Sequence, residues 1–154
     1  MILVPDEGET RLWTELLDGG TVRENWTLKL YQNNYTPVPG STAASFTEAN
    51  FTGYASKTLT RTVSASTWQT VAEGAPTGAW NGQANVAKST YGTSAQVFSI
   101  TGGASQTVYG YYVVGATSGK VIMAEQFASS RTLNPPLDTL SFTPAFEFGS
   151  GSGA

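Results

Sequence analysis

The sequence predicts a mainly β protein, an antiparallel β-sandwich or jelly-roll-like domain with one short N-terminal helix. Charged residues make up 12% of the 154 residues, against about a quarter in ordinary globular proteins. Threonine and aromatic residues are frequent instead, and these side chains favour the pleated, half-buried surface of a strand. Roughly seven to nine short runs of suitable pattern are separated by turn residues, which is typical of a sandwich.

The first element is a predicted helix over residues 5–17. Pro5 suits the first helical position, and the acidic residues after it place negative charge at the positive end of the helix dipole. Gly8 weakens the helix by about 1 kcal/mol, and Gly19 and Gly20 are expected to end it. One stripe carries four apolar side chains: Leu12, Trp13, Leu16 and Leu17. An isolated helix this short is marginal in water, so we expect the stripe to pack on its own sandwich or on a neighbouring subunit.

Two strands are predicted next, over residues 25–32 and 57–63, with a turn-rich loop after the first. Their inward-facing residues are expected to be Trp26, Leu28 and Leu30 in the first strand and Leu59 and Val63 in the second. Tyr31 is expected on the outer face with Thr27 and Lys29. The exposed Thr, Lys and Arg residues of the second strand suit the edge of a sheet.

The region from residue 64 to residue 93 has the weakest strand pattern. Residues 68–72 are a candidate strand, residues 73–78 are expected to turn, and the Ala-, Ser- and Gly-rich run to residue 93 is expected to be a long exposed loop. Further strands are predicted over residues 95–100, 107–114 and 120–127. The second of these is almost continuously apolar, which predicts a central strand covered on both faces. Residues 115–119 form its hairpin loop, and residues 131–138 form a second loop.

The clearest strand runs from residue 139 to residue 148. Its apolar face contains four large side chains: Leu140, Phe142, Phe146 and Phe148. Burying them would contribute on the order of 6–12 kcal/mol, while Glu147 is expected on the wet face. Pro144 cannot donate a ladder hydrogen bond, which predicts an edge position or a bulge. We therefore divide the chain into an N-terminal arm with the helix (1–20), a β-sandwich domain (21–148) and a flexible Gly/Ser tail (149–154).

The composition excludes several kinds of chemistry. The chain has no histidine and no cysteine, which removes Ser-His catalysis, thiolate metal sites and disulfides. Its acids cluster only at the start of the predicted helix, where the helix dipole explains them. The Lys and Arg residues are dispersed, and no apolar run is long enough for a membrane span. We expect no enzyme activity, no metal, no cofactor, no nucleic-acid partner and no membrane partner; a carboxylate pair of the glycosidase type is not singled out.

Aromatic residues suggest a carbohydrate-stacking surface as an alternative. Most of them occupy core-like strand positions, among them Trp26, Trp68, Tyr109, Tyr111 and Tyr112. Trp80 differs because it lies beside a predicted loop, so it is the best candidate for an exposed aromatic side chain. A receptor- or glycan-binding module would need such residues in the 64–93 region.

Several segments together resemble a known group of proteins. They are residues 5–9 (PDEGE) with 16–17 (LL), 24–34 (ENWTLKLYQNN), 51–61 (FTGYASKTLTR), 108–119 (VYGYYVVGATSG) and 138–144 (DTLSFTP). The chain resembles small virion structural proteins of tailed bacteriophages, including cyanophages, whose role is to decorate or cement the capsid. The matching motifs are structural, so no active-site residues are carried over.

The resemblance implies a protein made in the host cytoplasm and located on the capsid exterior of the virion. Its partner would be the major capsid protein, and it would assemble as a homo-oligomer, most simply a homotrimer over a three-fold position of the shell. The expected interface residues are Leu12, Trp13, Leu16, Leu17 and Trp80. A tail or fibre component is the alternative virion role, beside the glycan- or receptor-binding module.

Overall fold

Antiparallel strands make up most of the computed structural model, which describes residues 2–18, 23–64, 66–75, 86–92 and 94–148. The elements along this part of the chain are helix α1 (Asp6–Leu17), strand β1 (Trp26–Tyr31), a 3-10 turn (Ala43–Ser45), β2 (Lys57–Leu59), β3 (Ala72–Gly74), β4 (Val86–Thr90), β5 (Gln96–Ser99), β6 (Gln106–Gly115), β7 (Val121–Leu133), β8 (Thr139–Phe142) and β9 (Ala145–Phe148). The predicted mainly β class with a helix near the N-terminus is confirmed.

Within the described residues the strands form antiparallel sheets that are layered like a sandwich. The largest sheet has the order β2-β1-β6-β7, a second has the order β3-β4-β9, and β5 pairs with β8. One face of the four-stranded sheet shares its hydrophobic core with side chains from β5, β8 and β9. β2 lies at an edge of its sheet, as its polar residues predicted.

The inner face of β1 follows the predicted alternation. Trp26, Leu28 and Leu30 are at most 5% exposed, and Leu59 of β2 is fully buried beside them. The prediction for Val63 is wrong, because β2 ends at Leu59 and the side chain of Val63 is 70% exposed.

The opposite face of β1 is also covered near its end, which the sequence did not predict. Tyr31 is fully buried rather than outward. Its ring lies 5.1 Å from that of Phe46, which in turn stacks on Tyr112 of β6 at 4.6 Å. The Tyr31 hydroxyl donates a hydrogen bond to the carbonyl oxygen of Tyr35 at 3.1 Å. A second small core therefore forms beneath the loop that follows β1.

β6 is the central strand that its apolar run predicted. It pairs with β1 on one side and with β7 on the other. Tyr111 and Val113 belong to the main core, whereas Tyr112 and Val114 belong to the second core. The prediction of a strand covered on both faces is confirmed.

β7 is longer than predicted and contains a large bulge. It runs to Leu133, into the segment expected to be a loop. Its register with β6 changes between the pair Gly110–Gln126 and the pair Val108–Arg131, so one residue of β6 faces residues 127–130 of β7. An insertion of this kind bends a strand and disrupts the ladder locally.

The described residues between 64 and 93 contain two strands that differ from the prediction. β3 starts at the last residue of the candidate strand and continues into residues expected to turn, and β4 lies in the run expected to be an exposed loop. Trp68, within the candidate strand, forms isolated bridges to Val63 and Tyr91. Trp80 and its neighbours lie outside the described residues.

The last predicted strand divides into two strands in different sheets. β8 pairs with β5 and β9 pairs with β4, and the break falls at Thr143 and Pro144. Leu140, Phe142 and Phe146 all pack against the main core as half-buried side chains, so their shared face is confirmed, but full burial is not. The side chain of Phe148 lies outside the described part of the chain.

Glu147 is buried, which corrects the prediction of a wet position. Its side chain is 4% exposed and lies 3.0 Å from the ammonium group of Lys88 on β4. The two residues are direct neighbours in the antiparallel register. This pairing provides an opposite charge for a carboxylate that would otherwise be costly to bury.

The helix α1 packs on its own sandwich through Gly8. A Cβ atom at this position would lie 2.6 Å from the carbonyl oxygen of Val121 and 2.7 Å from that of Ile122, so only glycine allows this approach to β7. Glu7 accepts a hydrogen bond from the Val121 amide at 2.7 Å. Upstream of the helix, Leu3 exchanges two backbone hydrogen bonds with Ala124.

Candidate interaction surface

The outer side of α1 carries the largest exposed apolar side chains of the N-terminal region. Trp13 is 53% exposed, Leu16 is 71% exposed and Leu17 is 74% exposed. Val71, which follows the Trp68 segment, is 64% exposed and lines the same groove as Trp13 and Leu16. We call Trp13, Leu16, Leu17 and Val71 the helix strip.

The groove beside the helix strip has a volume of about 550 Å³. Its apolar lining includes Leu12 and Phe146, both of which also pack against the main core. Glu9, Arg23 and Arg61 contribute charges of both signs to its lining. The groove is thus an apolar depression with a mixed-charge border, a surface suited to a protein partner.

A network of ion pairs fixes α1 to the sheet beneath it. The side chain of Glu15 is 4% exposed and lies between Arg11, at 3.1 Å, and Arg61. Arg11 also lies 3.1 Å from Glu24, two residues before β1. Because Arg61 follows β2, this network joins the helix to two strands of the largest sheet. Breaking a pair of this burial by removing one partner is strongly destabilising.

Arg61 has a second role in the same place. Its guanidinium group lies 4.6 Å from the centre of the Trp26 ring, within the range of a cation–π interaction. Trp26 in turn packs edge-to-face with Trp68 at 5.5 Å. The side chains under the helix strip are therefore held by both charge and aromatic packing, which fixes the strip in one orientation.

Glu24 connects this network to the β6–β7 hairpin. Its carboxylate accepts hydrogen bonds from the amides of Thr117 and Ser118, at 2.6 and 2.8 Å, and from the Ser118 hydroxyl at 2.6 Å. Burial by itself would raise the pKa of Glu24, but these hydrogen bonds, together with the nearby charge of Arg11, lower it on balance. Glu24 thus stabilises the fold in its ionised form.

The structure places the predicted interface residues in three different situations. Trp13, Leu16 and Leu17 lie together on the exposed side of α1. Leu12 faces the sandwich, so it contributes to holding the helix and only lines the groove. Trp80 lies outside the described residues, so its place relative to the strip is not given by the structure.

Sequence reasoning missed Val71 and the charged border of the groove. Arg23, Arg61 and Val71 come from three segments distant in sequence, and no local periodicity connects them with the helix. The only local signal was that Val71 belongs to a weak strand candidate. Their proximity is a property of the tertiary fold.

Among the described residues there is no group of three or more Asp or Glu side chains placed to hold a metal ion. In the same part of the chain, no helix has the length and apolarity that crossing a bilayer requires. Comparison of the chain with models of protein families gives no match, and comparison with curated proteins gives none either.

Proposed function

We propose that this chain is a non-enzymatic structural protein of a phage virion, which decorates the outside of the head and stabilises it by binding the major capsid protein. The observation that carries the proposal is the helix strip, an exposed apolar surface on a helix that is itself fixed to the sandwich. The resemblance to phage decoration proteins supplies the partner. The strip supplies a preformed surface on which such a partner can dock.

The rigidity of α1 and the exposed apolar side chains on it both favour binding. The Gly8 contact with β7 and the buried Glu15 pairs hold the helix before any partner arrives. Binding therefore does not incur the entropic cost of ordering the helix. Full burial of a large apolar side chain contributes roughly 1.5–3 kcal/mol. Covering the exposed leucine and tryptophan side chains of the strip would therefore add a favourable contribution to the binding free energy.

The size of the strip favours binding by several copies at once. A stable one-to-one interface buries about 800 Å² on each partner, whereas the largest apolar patch on a typical monomer is only roughly 300–600 Å². Copies linked in a symmetric oligomer gain effective concentration when they bind a repeating lattice. Multivalency favours an oligomer, and the resemblance supplies the homotrimer that we propose; native mass spectrometry that shows only monomer at micromolar concentration would contradict this part.

A matched pair of variants tests the proposed surface. Leu16→Glu places a charge on the strip, and Leu137→Glu makes the same change at another leucine that is 83% exposed and does not line the groove. Both positions are open, so both variants are expected to fold like the parent. In a sedimentation assay with capsids stripped of the protein, Leu16→Glu should weaken binding by at least about tenfold, which corresponds to about 1.4 kcal/mol.

The result for the control decides the interpretation. Leu137→Glu should bind like the parent, since its side chain lies away from the strip. Equal binding by both variants and the parent would show that the strip is not the contact. If the parent sediments with purified tails and not with stripped heads, the head-decoration role is wrong and a tail component takes its place.

A further inference from the structure

A second groove lies on a different part of the molecule, where β7 bulges away from β6. Residues 127–130 of β7 face a single residue of β6 at this point. The groove between this bulge and the end of β8 has a volume of about 500 Å³, within the usual range for small-molecule sites. Bulges that redirect side chains are over-represented next to functional sites.

Three aromatic rings line this bulge groove. Tyr111 stacks on Phe142 with ring centres 4.8 Å apart and an angle of 27° between the rings. Phe127 meets Phe142 edge-to-face at 5.9 Å. Phe127 and Phe142 are only half-buried, so part of each side chain is open to the groove. Buried Tyr111 packs against both rings, and Phe142 also lies nearly parallel to the ring of Phe98 at 6.1 Å.

Polar groups surround the aromatic side chains. The lining includes one carboxylate, one guanidinium group and several hydroxyls, from Glu125, Arg131, Ser129, Ser141 and Thr143. The Tyr111 hydroxyl donates a hydrogen bond to Glu125 Oε2 at 2.8 Å, which orients the carboxylate. Burial, followed by the charge of Glu125, raises the pKa of Tyr111, so the hydroxyl keeps the proton that it donates.

This combination narrows the class of ligand. A phosphate-bearing ligand would favour an excess of positive charge, but the lining carries one Arg and one Glu. A purely apolar ligand would leave the charged rim unused. A sugar ring has an apolar C–H face that packs on an aromatic ring, and a rim of hydroxyls that both donate and accept hydrogen bonds.

We propose that the bulge groove binds a neutral saccharide, with Phe127 and Phe142 packing against the sugar face and Glu125 and Arg131 hydrogen-bonding its hydroxyls. Neutrality follows from the balanced charges of the rim. The inference does not depend on the virion role, because none of these residues lines the groove beside the helix strip. It also places saccharide binding outside the 64–93 region that the sequence suggested.

Chemical-shift titration of the isotope-labelled full chain tests this directly. The probes are the neutral disaccharides maltose, cellobiose, lactose and N,N′-diacetylchitobiose, each raised to about 10 mM, a range suited to millimolar affinity. At least one should give saturable shifts confined to residues 125–131 and 140–143. Phe127→Leu, which keeps an apolar side chain but removes the ring, should weaken that binding by about two- to tenfold.

Two further variants separate a binding role from a structural one. Arg131→Gln changes an exposed side chain and should weaken binding while the amide spectrum remains that of the folded parent. Leu137→Ala, exposed but outside the groove, should leave binding unchanged. The proposal is overturned if no disaccharide gives saturable shifts, if the shifts map elsewhere, or if folded Phe127→Leu and Arg131→Gln bind like the parent.

Discussion

The close approach of α1 to β7 predicts that Gly8→Ala destabilises the protein, although alanine is the better helix former. The new Cβ would lie 2.6 and 2.7 Å from two carbonyl oxygens, those of Val121 and Ile122. Both are backbone atoms of the first two residues of β7, where the strand pairs with β6, so neither can rotate away, and the helix must shift outward. Such a shift also stretches the 2.7 Å hydrogen bond from the Val121 amide to Glu7.

The magnitude follows from two opposing terms. Replacing glycine by alanine inside a helix stabilises it by about 1 kcal/mol, whereas overpacking a well-packed contact costs about 1–3 kcal/mol and occasionally more. Because two backbone contacts and one hydrogen bond are affected together, we expect the upper part of that range. The net loss in the free energy of unfolding should be about 1–2 kcal/mol.

Urea denaturation followed by tryptophan fluorescence measures this loss, with the slope of the transition compared between variants. Gly40→Ala is the matched control, since nothing lies within 4 Å of a Cβ at that position, and its stability should stay within about 0.5 kcal/mol of the parent. If Gly8→Ala is as stable as the parent or more stable, the helix does not press on β7 as described, and the argument for a preformed strip fails.

Three other predictions concern the remaining framework. Because the folded-state pKa of Glu24 is lowered, its ionised form stabilises the fold above the ordinary pKa of about 4.3, and that contribution is lost as pH falls through the folded-state value. In urea melts, the stability advantage of the parent over Glu24→Gln should therefore shrink between pH 7 and pH 3. An advantage independent of pH would contradict this. Phe142→Asp removes a half-buried ring that stacks on Tyr111 and should lower the free energy of unfolding by more than about 1 kcal/mol; a urea midpoint equal to that of the parent would refute the packing described. Val63→Ser should change stability by less than about 0.5 kcal/mol, because Val63 is 70% exposed; a larger loss in the same urea assay would mean that Val63 is buried after all.

Local periodicity predicted those elements whose environment is set by their own sheet. The alternation of Trp26, Leu28 and Leu30 was enough to identify β1 and its buried face, because one side of that strand faces the main core along its whole length. The continuous apolar run of β6 likewise predicted a strand covered on both faces. In both strands the apolar residues along the sequence lie on the faces that the rest of the fold covers.

Prediction failed where a distant segment determines the environment. Tyr31 occupies a polar position by alternation, yet Phe46 from the following loop covers it. Alternation along the strand assigns Glu147 to a wet face, but Lys88 lies opposite it on the neighbouring strand and compensates its charge. No pattern within either strand contains this information, because each partner comes from another part of the chain.

Gly8 shows a second kind of failure. From the sequence, glycine at this position only weakens the helix, by about 1 kcal/mol relative to alanine. In the structure it is the residue that permits the helix to contact β7. The exposed part of the candidate surface, Trp13, Leu16 and Leu17, was found from helical spacing, whereas Val71 and the charged border required the tertiary fold.

Electron microscopy of stripped phage capsids mixed with the purified protein is the decisive test of head decoration. We expect added density at symmetric lattice positions, with α1 and the helix strip turned toward the shell. The Leu16→Glu variant should leave those positions empty, while Leu137→Glu should fill them. Bare capsids with the parent protein left free in solution, or density in which the strip faces solvent, would contradict the account.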